Sequence, residues 1–313
     1  MELQVLLTGG FGNQVFQYLA GQYLKKTVGL KTVNFVLTPY LEENLRSPDL
    51  IKCISKQPIE IKRKIRERAA SALVRHISSR YKDKVTQLSA RVCEQIEMTE
   101  GNLTSGTKNT ALEKAEEQLK LITMGTNKKL RVNINGFWQD PRPYLGDLKQ
   151  LTSDFDIPKE SKKTPYAPGE YIAIHVRRGD YSENLANAIE YGKRHSIVQF
   201  ILAALTILPS TYKTVPLVLV TDDKAWCKLW CNALGNKERK ATVISNKDPL
   251  ADWHTIQQAK LTIISNSTFS FTAALLNNQC IDEKLRCIMP TWYNCSTTME
   301  SKGWTSIPGS LAI

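Results

Sequence analysis

The sequence predicts an α/β protein made of two parallel-sheet domains, residues 1–152 and 170–313, joined by a linker at residues 153–169. Three observations lead there. At the N-terminus an apolar run, Val5-Leu6-Leu7, enters a glycine-rich turn and then apolar residues at helical spacing, Val15, Phe16, Leu19 and Tyr23. Between Ser153 and Gly169 the chain turns polar, with prolines at 158, 165 and 168, which is the composition of an interdomain connection. Beyond it, short apolar runs alternate with helical patterns, the rhythm of βαβ units and a doubly wound sheet.

Taken in order, the first strand lies at Val5-Leu6-Leu7, and the next strand-like stretch is Thr32 to Leu37. Ala111 to Ile122, rich in Glu, Lys, Gln and Leu, reads as a helix. In the second half, strands are expected at Tyr171 to His175, Pro216 to Val220, Ala241 to Ile244 and Leu261 to Ile264. Helices are expected near Ile197 to Ile207, Ala225 to Leu234 and Trp253 to Lys260, with a last apolar segment at Phe269 to Asn277.

Two strand ends carry chemistry. Tyr171-Ile-Ala-Ile-His-Val-Arg-Arg-Gly-Asp-Tyr181 places His175, Arg177, Arg178 and Asp180 where a strand meets its loop. Adjacent guanidinium forks at the carboxyl end of a strand suit phosphate oxygens; a solvated basic turn would have the same composition. The N-terminal turn, Gly9-Gly10-Phe11-Gly12-Asn13-Gln14, brings backbone N–H groups and a helix start near a ligand. It is not a dinucleotide fingerprint: the third glycine position is Val15, and no acidic residue ends the stretch from Thr32 to Leu37. Further along, Leu219-Val220-Thr221-Asp222-Asp223 and Ile263-Ile264-Ser265-Asn266-Ser267-Thr268 also end strands. Ser267 and Thr268 at a helix start make a second anion cradle, although Ser267 is equally an ordinary N-cap.

Composition narrows the class. An apolar fraction of 42% and a charged fraction of 23% over 313 residues are those of a globular chain with room for two cores. No apolar run approaches the ~20 residues that span a bilayer, and Met1-Glu2-Leu3-Gln4 lacks a basic signal-type flank, so a cytoplasmic location is expected. Seven cysteines, an odd number, are expected as reduced and mostly buried thiols. Cys227 and Cys231 share a helix face without the partners of a zinc set, which favours packing. Asp154 and Asp156 form an Asp-x-Asp in the linker, read as turn chemistry rather than a metal site.

The net charge of +12 is uneven. From Glu60 to Lys84 nine basic residues face three acidic ones, which supplies half of it. Ile61, Ile65, Ala69, Leu73 and Ile77 form a narrow apolar stripe on this basic helical insertion. Either the stripe packs a solvated helix, or the segment makes a peripheral contact with anionic lipid at the inner face of a membrane.

Together, Gly9-Gly-Phe-Gly-Asn-Gln-Val-Phe-Gln-Tyr18 and His175-Val-Arg-Arg-Gly-Asp-Tyr181 resemble the two signature blocks of the α-1,2-fucosyltransferases, glycosyltransferase family 11, of bacterial type. Matches follow at Thr221-Asp222-Asp223 with Trp226-Cys227, at Ile264 to Phe271, at Met289-Pro290-Thr291-Trp292, and at Gly136-Phe137-Trp138-Gln139 with Tyr144. The chain departs from the pattern after Ser-Phe-Ser, where Phe271-Thr272 stands in place of paired tryptophans.

The resemblance implies two Rossmann-like domains facing across a cleft, the glycosyltransferase-B type, with the acceptor side in 1–152 and nucleotide-sugar binding in 170–313. It implies metal-independent transfer of fucose from GDP-β-L-fucose to the 2-hydroxyl of a terminal β-galactoside in an oligosaccharide, which could be lipid-linked. By the same resemblance Arg177 takes the β-phosphate and Arg178 orients nearby carboxylates. His175 lies against the nucleotide, Asp222 or Asp223 reads guanine or ribose, and Ser265 to Thr268 hold phosphate. Asn13, with Gly12 and Gln14, meets sugar or acceptor. Asp180, Glu183, His175 and His195 remain open as general base. Two other classes stand against this reading. A nucleic-acid-binding protein fits a pI of about 9.3 but lacks interleaved aromatics, and a dinucleotide oxidoreductase lacks its glycine and acidic residue.

Overall fold

The computed structural model describes residues 2–36, 49–54, 59–60, 94–99, 110–125, 130–178, 197–235, 237–279, 284–290 and 296–307. The chain divides between Asp156 and Ile157 into two units, each an α/β structure around a parallel sheet.

In the first unit the strands are β1 (Glu2–Leu6), β2 (Val33–Val36), β3 (Ile59–Glu60), β4 (Glu94–Thr99) and β5 (Leu130–Asn135). They run parallel in the order β3-β2-β1-β5-β4. Helix α1 (Phe11–Val28) follows β1 directly, as the apolar spacing predicts, and ends at Gly29, whose φ of 74° closes the last turn through its N–H. Leu3, Val5, Phe35, Val132 and Ile134 form the core against it. Gly21 lets the helix sit low on the sheet, since a Cβ there would lie 2.8 Å from Val5 Cγ2. After the short α2 (Leu50–Cys53) comes α3 (Ala111–Gly125). Its start is fixed by a capping box: Glu113 N–H donates to Thr110 Oγ1 at 3.1 Å and Thr110 N–H to the Glu113 carboxylate at 2.6 Å. A further short helix, α4, spans Leu148–Leu151.

The second unit holds β6 (Ile172–Val176), β7 (Leu217–Thr221), β8 (Ala241–Ile244), β9 (Leu261–Ile263), β10 (Cys287–Pro290) and β11 (Trp304–Ile307). Helices α5 (Ile197–Thr206), α6 (Lys224–Leu234), α7 (Pro249–Gln257), α8 (Thr268–Leu275) and α9 (Ser296–Glu300) complete it. All strand pairs are parallel, in the order β8-β7-β6-β9-β10-β11. Numbered within the unit this is 3-2-1-4-5-6, the doubly wound Rossmann order, whose direction reverses between the first and fourth strands. β6 and β7 are buried along their whole length, as continuous runs such as Leu217-Val-Leu-Val220 require of central strands. Cys227 and Cys231 lie in the same core beside Leu219 and Ile174, as ordinary packing residues. The four described cysteines, Cys53, Cys227, Cys231 and Cys287, are buried and form no disulfide.

Three differences from the sequence reading have local causes. α7 starts at Pro249 rather than Trp253, because Asp248 caps it by accepting from Leu250 N–H and Pro249 takes the first helical position. β10 and β11 had no periodic signal to announce them; β10 is four residues long and ends in proline. The stretch 153–169 is divided between the units rather than standing apart. Phe155 packs on Tyr18 at 5.7 Å and Asp156 N–H donates to Cys53 O, whereas Ser161 Oγ bonds Asp248 and Gly169 N–H bonds Gln258 O. The basic segment from 61 to 84 lies outside the described residues.

Candidate active site

The site of the second unit forms where β6 and β9 are neighbours, at the reversal of strand order. Register determines it. Ile174 pairs with Ile263, so the next positions on each strand end bring His175 towards Ser265. Their side chains meet, His175 Nδ1 to Ser265 Oγ at 2.8 Å, and the imidazole lies 5.7 Å from the Phe269 ring on α8. His175 thus joins β6 to the β9–α8 turn. Burial, assisted by the neighbouring Arg177 charge, pushes its pKa down to about 3. A ring so enclosed and so weakly basic is suited to holding the two strand ends together.

Register also explains the arginines. Val176 pairs with Thr221, so Arg177 continues opposite Asp222 and Arg178 opposite Asp223. Both ion pairs form: Arg177 Nη1 to Asp222 Oδ2 at 2.9 Å, and Arg178 Nε to Asp223 Oδ2 at 3.3 Å. Asp222 also accepts from Arg178 N–H at 2.8 Å. Asp223 caps α6 by accepting from Trp226 N–H at 3.0 Å, and the Arg178 guanidinium lies 4.1 Å over the Trp226 ring. Arg178 is therefore packed between a carboxylate and an indole. Arg177 pairs with Asp222, the first residue beyond β7.

Across from the arginine loop, Ser267 is the N-cap residue of α8 and Asn266, Ser267 and Thr268 are half-buried. Ser267 makes no side-chain capping bond; the turn is held instead by Ser267 N–H to Ser265 O and Phe271 N–H to Ser267 O. Thr272, at a departure from the family pattern, accepts from Trp253 Nε1 at 3.1 Å and ties α8 to α7. Asp180, Glu183 and His195 lie outside the described residues. Trp226, which stands beside Thr221-Asp222-Asp223 in the sequence match, is given no site role by it, and Asp252 on α7 carries no signal in the sequence. The Asp252 carboxylate accepts from Asn246 N–H and Nδ2; burial raises its pKa to about 6 against those bonds.

In the first unit the glycine-rich turn leaves β1 beside the turn that leaves β5. Gln14 is fully buried and occupied: its Nε2 donates to Gly9 O at 3.0 Å and its Oε1 accepts from Leu50 N–H. Through these bonds Gln14 holds the loop, as does Gln17, which accepts from Thr8 N–H and donates to Gly136 O. Gly12 is buried in the first turn of α1. Asn13 is half-buried and accepts from Gln139 Nε2 at 3.1 Å. Gln139 and Phe137 belong to a block noticed in the sequence but not assigned to the site.

A Rossmann-type unit with paired arginines at its switch point defines a class, the α/β proteins that hold anionic nucleotide ligands at strand ends. Comparison with known proteins adds that residues 155–307, the second unit, match Glycosyl transferase family 11. An alpha-1,2-colitosyltransferase of Escherichia coli is 26% identical over 154 residues, covering 47% of this chain and 52% of the relative. The chain thus matches about half the length of that curated relative. Among solved structures, POFUT1 in complex with GDP-fucose superposes with a TM-score of 0.51 at 12% identity, over 92% of this chain and 97% of that one. NodZ alpha-1,6-fucosyltransferase soaked with GDP-fucose gives 0.44 at 12% identity, over 88% and 92%. The fold is two-unit α/β of the glycosyltransferase-B type. Among the described residues no cluster of three metal-ligating side chains occurs, and no helix is long and apolar enough to cross a membrane.

Proposed function

We propose that the chain is an inverting glycosyltransferase. It moves L-fucose from GDP-β-L-fucose to the 2-hydroxyl of a terminal β-galactoside in an oligosaccharide of the surface-polysaccharide or O-antigen type. The observation that carries this reading is Arg177 at the switch point, oriented by Asp222, beside the His175–Ser265 bond. A GDP-linked donor is supported by the match to Glycosyl transferase family 11 and by the GDP-fucose in complex with POFUT1, a protein of similar fold.

In the proposed step the acceptor oxygen attacks the anomeric carbon, the bond to the β-phosphate oxygen breaks, and GDP leaves with that electron pair. Negative charge on the departing phosphate grows along the way. A guanidinium aimed at that oxygen therefore stabilises the transition state more than the bound donor. The N-terminus of α8 faces developing charge with its positive dipole end. Two such groups neutralise a diphosphate without a divalent ion. His175, neutral, holds the two strand ends at fixed separation. Asp180 is the carboxylate proposed to take the acceptor proton.

A second reading, transfer of colitose, is favoured by the name of the E. coli relative. The experiment is incubation with GDP-fucose or GDP-colitose and a panel of β-galactosides in the presence of chelator, followed by linkage analysis of the product. An α-1,2-fucosyl product is expected. A different linkage, or dependence on added metal, contradicts the proposal. GDP is expected to raise the melting temperature where NAD and oligonucleotides do not.

A further inference from the structure

We propose that one face of the second unit, made by α5 and α6, docks on an anionic lipid bilayer, with Leu229 entering the headgroup layer and the lysines around it taking lipid phosphates. The surface lies outside the strand-end site and does not depend on which sugar is transferred.

The two helices share a side of the sheet. β6, β7 and β8 are adjacent and parallel, and the chain steps through them in order. Right-handed crossovers taken in one direction put both connecting helices on the same face. Their inner residues meet in one core: Phe200, Ile201 and Ala204 of α5 with Cys227, Cys231 and Leu234 of α6.

Helix α6 carries a second apolar stripe. Cys227, Cys231 and Leu234 account for its buried side. Trp226, Leu229, Trp230 and Ala233 recur at spacings of three and four, so they form a neighbouring stripe that turns outwards. Leu229 is 82% exposed, and the two indoles, half-buried, meet edge to face with ring centroids 5.1 Å apart. Leu202 on α5 is exposed, as is Ile207 just past its end. A lone exposed leucine is ordinary. This one stands beside two tryptophans, which favour the boundary between hydrocarbon and headgroup, and its companion helix α5 has no charged residue.

Charge selects the occupant. From Ile197 to Val220 the sequence has one charged residue, Lys213. From Lys224 to Lys240 it sets Lys224, Lys228, Lys237, Arg239 and Lys240 against Glu238 alone. The four lysines of that stretch are exposed. A second copy of the chain would bring like charges together around the stripe, whereas an anionic headgroup layer neutralises them. Nucleic acid would match the charge but offers an aliphatic side chain such as Leu229 no stacking partner. An apolar centre with a basic rim is what an interfacial helix presents to lipid. Because α6 starts at the arginine loop, through Asp223, docking along it keeps the strand-end site beside the bilayer.

The test is flotation of the whole chain with liposomes of phosphatidylcholine alone, or of phosphatidylcholine and phosphatidylglycerol in equal parts. The wild type is expected to float with the anionic liposomes and not with the neutral ones. Leu229→Asp, and separately the double variant Lys228→Glu with Lys237→Glu, should each weaken binding by about tenfold or more. Leu229→Phe stays apolar and should float as the wild type does. These side chains are exposed, so urea midpoints and the GDP-induced melting shift should match the wild type. Should Leu229→Asp unfold, the double variant decides alone. The proposal is overturned if the wild type ignores anionic liposomes or floats equally with neutral ones. Undiminished flotation of the folded variants also overturns it, by placing the lipid contact elsewhere in the chain. A dimer in sedimentation velocity that Leu229→Asp dissolves would give the face to a second copy. An oligonucleotide that the wild type binds and the double variant releases would give it to nucleic acid, and either result overturns the proposal.

Discussion

Arg177 and Arg178 are adjacent in sequence and separate in role. Arg178 lies over Trp226 and pairs with Asp223, so its charge is spent on orienting the loop. Arg177 pairs with Asp222 where β6 ends, and it is the residue we propose for the leaving-group contact. Arg177→Ala is expected to lower kcat by roughly 10²–10³, the usual result of removing one donor from a developing anion. Its circular dichroism spectrum should remain that of the wild type. Arg177→Lys should recover only part of the rate, because an ammonium lacks the planar fork. A kcat within threefold of the wild type for Arg177→Ala would place the leaving-group charge elsewhere. His175 and Asp252 titrate in opposite senses. His175 drops from 6.5 to about 3 on folding, so stability present above pH 6.5 is lost as pH falls towards 3. Asp252 rises from 3.8 to about 6, so the native state holds a proton that the unfolded chain lacks between those values, and acidification favours folding there. Between about pH 6 and 4 the two nearly cancel. In Asp252→Asn only the histidine remains, and stability should fall more steeply than in the wild type across that window, by about 1.4 kcal/mol per pH unit for one proton. Urea midpoints measured from pH 4 to 7 check this; parallel profiles for the two proteins would refute it.

At the scale of elements, the loops after β6 and β7 are joined through α6. Asp223 serves both, capping the helix through Trp226 N–H and pairing with Arg178. Asp223→Ala is expected to cost about 1 kcal/mol of stability, the usual worth of an N-cap. Asp223→Asn retains an accepting oxygen and should keep most of that stability while losing the ion pair. Equal destabilisation of the two in urea unfolding would show that the cap is not what the residue contributes. The same economy appears in the first unit. Gln14 and Gln17, which sit on α1, look polar in sequence but spend their amides on Gly9, Leu50, Thr8 and Gly136. A glutamine inside a helix gives no advance sign of whether it faces ligand or loop, since only packing decides which backbone groups come within reach.

For the molecule as a whole, each unit puts its chemically distinctive turns where strand order reverses, β1 with β5 and β6 with β9. The first unit offers a neutral aromatic and amide surface, the second a guanidinium pair and a helix N-terminus.

Periodicity and apolar runs in the sequence determined most of the elements. β8 was expected at Ala241–Ile244 and found there, and α6 begins one residue before its expected start at Ala225. The motif residues of the second unit were legible too, because arginine pairs at a strand end carry a charge pattern that no packing requirement produces. What only the tertiary structure decided is who meets whom. Arg177 faces Asp222 because β6 and β7 pair Val176 with Thr221, and His175 reaches Ser265 because β6 and β9 pair Ile174 with Ile263. Strand register is a long-range choice, set by the simultaneous burial of both faces of a central sheet, and a local pattern of residues does not contain it.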